Sequence, residues 1–188
     1  MLLVDDLKDI IKGCLSGERR SQEKLYKLFS SRMFGVCLQY SNQYDDAKDI
    51  LQEGFIKVFS KLEQFDHRGS FEGWVRRIMI NTALEKYRSH LHLYPLTEKD
   101  VNKEELIYEE VFEKLSANDL VKLMQELPPR YRMVFNLYAI EGYAHKEISE
   151  MLGITVGTSK SNLARARGIL QEKVKRFYNT SEKSRSDI

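Results

Sequence analysis

Past Gly153 the chain sets hydroxyls and cations at short intervals: Thr155, Thr158, Lys160, Ser161, Arg165 and Arg167. Hydroxyl and guanidinium donors read base edges and cations meet phosphate, so these residue types suit a helix lying in the major groove of DNA. A different mixture recurs at helical spacing earlier in the chain, where Trp74, Arg77, Asn81, Glu85 and Arg88 fall on one stripe. Unpaired bases are held by stacking and by hydrogen bonds to their exposed edges, with cations on the backbone, so that stripe suits a melted strand. A third set, Asp49, Gln52 and Glu53, forms an acidic and amide edge. Such an edge fits an ordinary solvated face, and it also suits a basic protein partner, with which charge complementarity would fix register and speed encounter.

The elements that must carry these residues are helices. Ile148, Met151 and Leu152 share one face, Gly153 supplies a tight turn, and Ile154 returns toward the core. This pattern is a helix-turn-helix signature. Thr155 is a good N-cap for the second helix, because its hydroxyl can accept from free backbone N–H groups of the first turn. On that helix Ser159, Leu163, Ala166 and Leu170 pack, while Gly157, Thr158, Lys160, Ser161, Ala164 and Arg165 lie toward the other side. Val134, Phe135, Tyr138 and Ile140 belong to a preceding helix that would cover the hairpin. In the N-terminal half, Leu51, Phe55, Val58, Phe59 and Leu62 form an inward stripe opposite the acidic edge, and Ile80, Ala83, Leu84 and Tyr87 turn away from the Trp74 stripe. Strand-like alternation is hard to find, so the fold class is all-α.

Pro95 breaks the chain after one helical stretch, and Pro128 and Pro129 separate a helix ending at Leu127 from the next. Between them lies the Glu-rich stretch TEKDVNKEELIYEEVFEKL, which reads as a connector. The expected organisation is a first module over 1–90, an acidic linker over 91–115, a second module over 116–178 and a flexible polar tail over 179–188.

Composition narrows the function classes. With 188 residues, 42% of them hydrophobic, the chain can bury a real core. Its formal net charge is only +2, so a polyanion must be met by local patches, and Lys146, Lys160, Arg165, Arg167, Lys173, Lys175 and Arg176 make the second module locally basic. Cys14 and Cys37 lie on apolar helix faces without metal-ligand spacing and are expected as free buried thiols. The first apolar run is too short for a signal peptide and no stretch reaches membrane-span length, so a cytoplasmic location is expected. There is no P-loop, HExxH or GxSxG, and His67, His90, His92 and His145 lack persuasive metal spacing. No catalytic residue, cofactor, metal site or small-molecule substrate is expected.

The run from Leu127 to Leu170, LPPRYRMVFNLYAIEGYAHKEISEMLGITVGTSKSNLARARGIL, resembles region four of bacterial RNA polymerase sigma factors of the extracytoplasmic-function (ECF) group. YDDAKDILQEGFIKVFSKLEQF, residues 44 to 65, resembles the region-two helix of that family, and FDHRGSFEGWVRRIMINTALEKYRSH resembles its promoter-melting segment. These motifs occur in the family's order and cover roughly residues 5 to 177. The resemblance implies a dissociable initiation subunit. Asp49, Gln52 and Glu53 would bind the β′ clamp of core RNA polymerase, and apolar residues near Val134 to Tyr138 would touch the β-flap. Thr155, Thr158, Lys160, Ser161, Arg165 and Arg167 would read the minus-thirty-five duplex of promoter DNA. The loop from Asp66 to Ser70, with His67 and Arg68, would cup a flipped minus-ten base beside Trp74, Arg77, Asn81 and Arg88. The linker from Leu91 to about Leu115 would thread the RNA-exit path, and an anti-sigma factor is an implied partner.

Trp74 also fits an ordinary core anchor, and the sequence leaves both roles open. Ser159 departs from the Val usual in relatives, either loosening the packing or bonding back to the preceding turn. Ala144 replaces the usual Ser or Thr cap, and Glu85 stands where Asp is common. The alternative function is a stand-alone helix-turn-helix transcriptional regulator, which would leave the motif at residues 44 to 65 unexplained.

Overall fold

Glycines, prolines and caps cut the described stretches of the chain into helices. The computed structural model describes residues 4–93 and 117–186, with side chains described for 6–89 and 119–176. The acidic linker, apart from the helical backbone of 91–93, lies outside the described residues, as do the side chains of His90 and His92. All regular structure among the described residues is helical. By its internal contacts the chain divides into Met1–Lys86 and Tyr87–Ile188.

The first unit begins with α1 (Val4–Leu15) and α2 (Arg19–Tyr40), followed by α3 (Tyr44–Ser60) and the start of α4 (Phe71–Leu93). Leu51, Phe55, Val58 and Leu62 are buried as their spacing predicts, while Phe59 is half-buried. Phe55 meets Tyr26 of α2 at a ring separation of 4.6 Å. Both cysteines are free and buried, and burial pushes the Cys37 thiol up to about 12. From α4, Val75, Met79, Ile80, Ala83 and Leu84 complete this core. That leaves Arg77, Asn81, Glu85 and Arg88 on the solvent side of the same helix, Arg88 falling in the second unit.

The second unit contains α5 (Ala117–Gln125), α6 (Pro129–Phe135), α7 (His145–Leu152) and α8 (Val156–Ser186). Pro129 occupies the first turn of α6, where its missing N–H is not needed. Beyond Phe135 the helix widens into a π segment over Asn136–Ile140, closed by a 3.0 Å bond from the Glu141 N–H to the Asn136 carbonyl. That widening changes which side chains face the core. Val134, Phe135 and Leu137 are buried, whereas Tyr138 and Ile140, expected to cover the hairpin, are 36% and 40% exposed. Apolar residues available to a flap partner therefore begin at Tyr138, because Val134 is fully enclosed.

Gly153 ends α7 in the left-handed conformation, φ 66°, which it adopts without a Cβ penalty. At the other end of α7, Ala144 offers no side-chain acceptor, but Glu147 reaches back to the Ala144 N–H at 2.8 Å. Half of a capping box therefore survives the loss of the usual hydroxyl. The backbone of α8 continues through Ser186, into the stretch expected as a tail.

Candidate functional site

The face that α8 leaves exposed consists of Gly157, Lys160, Ser161, Ala164 and Arg167 near its N-terminal end, with Leu163, Ala166 and Leu170 buried against the domain. Small residues there permit close approach to a duplex, and Lys160 and Arg167 project from the same stripe. The remaining residues of the predicted set have local duties. Thr155 Oγ1 accepts from the Thr158 N–H at 3.0 Å and lies 2.8 Å from the Thr158 hydroxyl, so both hydroxyls secure the start of the helix. Ser161 donates to the Thr158 carbonyl at 3.0 Å, which leaves its oxygen free as an acceptor only. Arg165 is half-buried, with Nη1 3.4 Å from the hydroxyl of buried Tyr131, so it points toward α6 rather than outward with Lys160.

Ser159 corrects a different expectation. It is fully buried, and its hydroxyl lies 2.9 Å from His145 Nδ1 on α7 instead of bonding back along its own helix. A buried hydroxyl needs such a partner. Burial, together with the nearby Lys160 and Arg167 cations, lowers the affinity of His145 for a proton.

In the first unit the loop before α4 is shaped by Asp66. Its carboxylate accepts the Arg68 N–H at 3.0 Å and pairs with Arg68 Nε at 3.1 Å. His67 sits at φ 61°, a left-handed conformation uncommon for a residue with a side chain, and its ring contacts Phe65 at 4.6 Å. Ser70 then caps α4, accepting from the Gly73 N–H at 3.0 Å. Trp74 is half-buried on a cluster with Phe65 and Phe71, each 5.6 Å away. Its two open roles are thus compatible, because the cluster anchors the ring while part of it stays accessible beside the loop. Arg77 and Asn81 are exposed, next along the stripe.

Along α3, Asp49, Gln52 and Glu53 are all exposed, as the inward stripe requires. Lysines flank the edge: Lys86 approaches Asp49 at 3.2 Å, and Lys57 bridges Glu53 at 2.9 Å and Glu85 at 2.6 Å. Exposed pairs of this kind contribute roughly 0–1 kcal/mol each, so a partner can replace them at little cost.

Residues 25–91 match the family Sigma-70 region 2, and residues 117–170 match Sigma-70, region 4. The chain belongs to the sigma-70 family, in its ECF group. It is 31% identical over 161 residues to the ECF RNA polymerase sigma factor SigE of Mycolicibacterium smegmatis, a match covering 81% of this chain and 61% of that protein. To the ECF factor SigW of Bacillus subtilis it is 25% identical, with 90% of this chain and 97% of SigW covered. Among solved structures, the sigma factor RpoE in complex with the anti-sigma factor NepR from Bartonella quintana shares the fold. The TM-score is 0.50 at 22% identity, over 81% of this chain and 96% of that one.

This ECF sigma factor carries both regions with which such factors direct promoter-specific initiation. Two of its exposed residues were missed by pattern reading. Ile56, 68% exposed, continues the Asp49, Gln52, Glu53 stripe by one turn, and Val156, 40% exposed, opens the free face of α8. Spacing from Asp49 could have found the first; nothing but exposure marks the second. Among the described residues, no group of three or more His, Cys, Asp or Glu side chains could hold a metal, and no helix is long and apolar enough to cross a membrane.

Proposed function

We propose that this ECF sigma factor docks on the β′ clamp of core RNA polymerase through the α3 edge of Asp49, Gln52, Glu53 and Ile56. In this reading the exposed face of α8 reads a minus-thirty-five duplex, with Lys160 and Arg167 on phosphate or base edges. The Asp66 to Ser70 loop and the Trp74, Arg77, Asn81 and Arg88 stripe hold the melted minus-ten strand. Tyr138 and Ile140 offer the flap contact. The factor works without catalytic chemistry of its own, in the cytoplasm with its polymerase, and an anti-sigma factor is a further partner, as NepR is for RpoE.

One observation carries the reading. The half-buried Trp74 stands beside exposed Arg77 and Asn81 in one unit, while a hydroxyl-capped helix exposes Lys160 and Arg167 in the other. The first surface suits unpaired bases and the second suits duplex, and an initiation factor needs both. A stand-alone regulator has no use for the first.

The test is reconstituted transcription with purified protein and core polymerase of the source organism on fragmented genomic DNA, sequencing RNA 5′ ends against a core-only control. Factor-dependent 5′ ends that share two upstream boxes at a fixed separation are expected. Specific duplex retention without such ends would overturn the reading in favour of a stand-alone regulator.

A further inference from the structure

Four side chains from three elements meet at the base of the helix-turn-helix. Tyr138 stands at the widened end of α6, and the His145 ring stacks on it with centroids 4.6 Å apart and planes 21° from parallel. His145 in turn is held by the buried Ser159 hydroxyl at 2.9 Å. The Arg167 guanidinium lies over the Tyr138 ring, 5.8 Å from its centroid. That distance falls within the range over which a cation is attracted by an aromatic quadrupole.

We propose that Tyr138 is a positioning residue for duplex recognition: its ring, backed by His145 and Ser159, holds the Arg167 guanidinium ready on the exposed face of α8. The inference rests on the reading of α8 as the duplex-reading helix. An exposed Arg on a helix otherwise samples many rotamers, and fixing it on binding costs entropy. A ring beneath the guanidinium restricts that sampling before DNA arrives.

The details fit a platform better than a core anchor. Tyr138, in the π segment, is 36% exposed, so it is not enclosed in the core as Phe135 and Leu137 are. Ser159 is fully buried, and its hydroxyl there holds His145. Burial, and then the Lys160 and Arg167 charges, disfavour the imidazolium, so the stacked ring favours its neutral form and does not repel the guanidinium above Tyr138.

The experiment uses the full chain and a duplex that the wild-type protein selects from a randomised library, with affinity read by fluorescence anisotropy. Arg167→Ala and Lys160→Ala are expected to weaken binding. Tyr138→Leu should weaken it by about two- to fivefold, the range a surface cation–aromatic contact supports. Tyr138→Phe, which keeps the ring, should restore wild-type affinity. In an Arg167→Ala background, Tyr138→Leu should cost nothing more. His145→Ala, which removes the backing of the ring and also leaves the buried Ser159 hydroxyl without this partner, should give a smaller loss that also vanishes in that background. Equal losses from Tyr138→Leu with and without Arg167 would overturn the proposal in favour of simple packing. If Lys160→Ala and Arg167→Ala weaken binding while Tyr138→Leu does not, the platform falls and the reading of α8 stands. If the library yields no duplex, or neither cation matters, the reading of α8 falls and takes this inference with it.

Discussion

Gly54 of α3 lies directly against Met79 of α4: a Cβ on Gly54 would come within 2.2 Å of the Met79 sulfur. Both positions are buried, so the two helices that present the proposed polymerase and single-strand surfaces cross at a site with no room for a side chain. Gly54→Val is expected to destabilise the protein by about 1–3 kcal/mol through overpacking, measured by urea denaturation. Gly54→Ala should cost less, because the end of Met79 can swing and alanine is the better helix former. Wild-type stability in the valine variant would show that the crossing is loose.

The α3 edge predicts separate effects on docking and folding. Ile56→Glu should lower affinity for core polymerase by about tenfold, as removal of a central apolar contact does, while changing folding stability by no more than about 0.5 kcal/mol. Glu53→Lys should spoil docking too, since it reverses the edge's charge and sets a cation one turn from Lys57. Co-elution with core and a thermal melt separate the two quantities. Unimpaired co-elution of both variants would remove this edge from the interface.

Arg165 and Lys160 should part company. Arg165→Ala removes a guanidinium from the hydroxyl of a buried tyrosine and is expected to cost about 1 kcal/mol of stability in the second unit. Lys160→Ala should leave the melt unchanged, weaken binding across all duplex sequences, and reduce the slope of log affinity against log salt by about 1. A loss of sequence discrimination in Arg165→Ala without any loss of stability would instead mean that this side chain swings outward to a base.

His145 predicts a pH dependence with a definite sign. Its folded-state pKa lies below the ordinary 6.5, chiefly through burial and then through the Lys160 and Arg167 charges. The unfolded chain therefore binds a proton more readily than the folded one, and stability rises with pH across that interval. The contribution is complete above about pH 6.5 and is lost as pH falls through the folded value. The stability difference between wild type and His145→Gln should drift against the wild type on going from pH 7.5 to pH 5.5. A constant difference would show that the imidazole is not perturbed.

Much of this was legible in the residues themselves. Helical periodicity assigned the all-α class and separated Leu51, Phe55 and Val58 from Asp49, Gln52 and Glu53, because a side chain's angular position on a helix follows from its place in the chain. Gly153 and Thr155 marked the turn and the second helix for similarly local reasons, a left-handed φ and an N-cap hydroxyl. What a side chain does once its helix meets another element is not local. The π segment that turns Tyr138 and Ile140 outward, the Ser159 to His145 bond, the inward swing of Arg165 toward Tyr131 and the aromatic cluster under Trp74 each depend on residues brought together by tertiary packing. Periodicity tells which side of a helix is free; only the packed structure decides which of its polar groups are already spent.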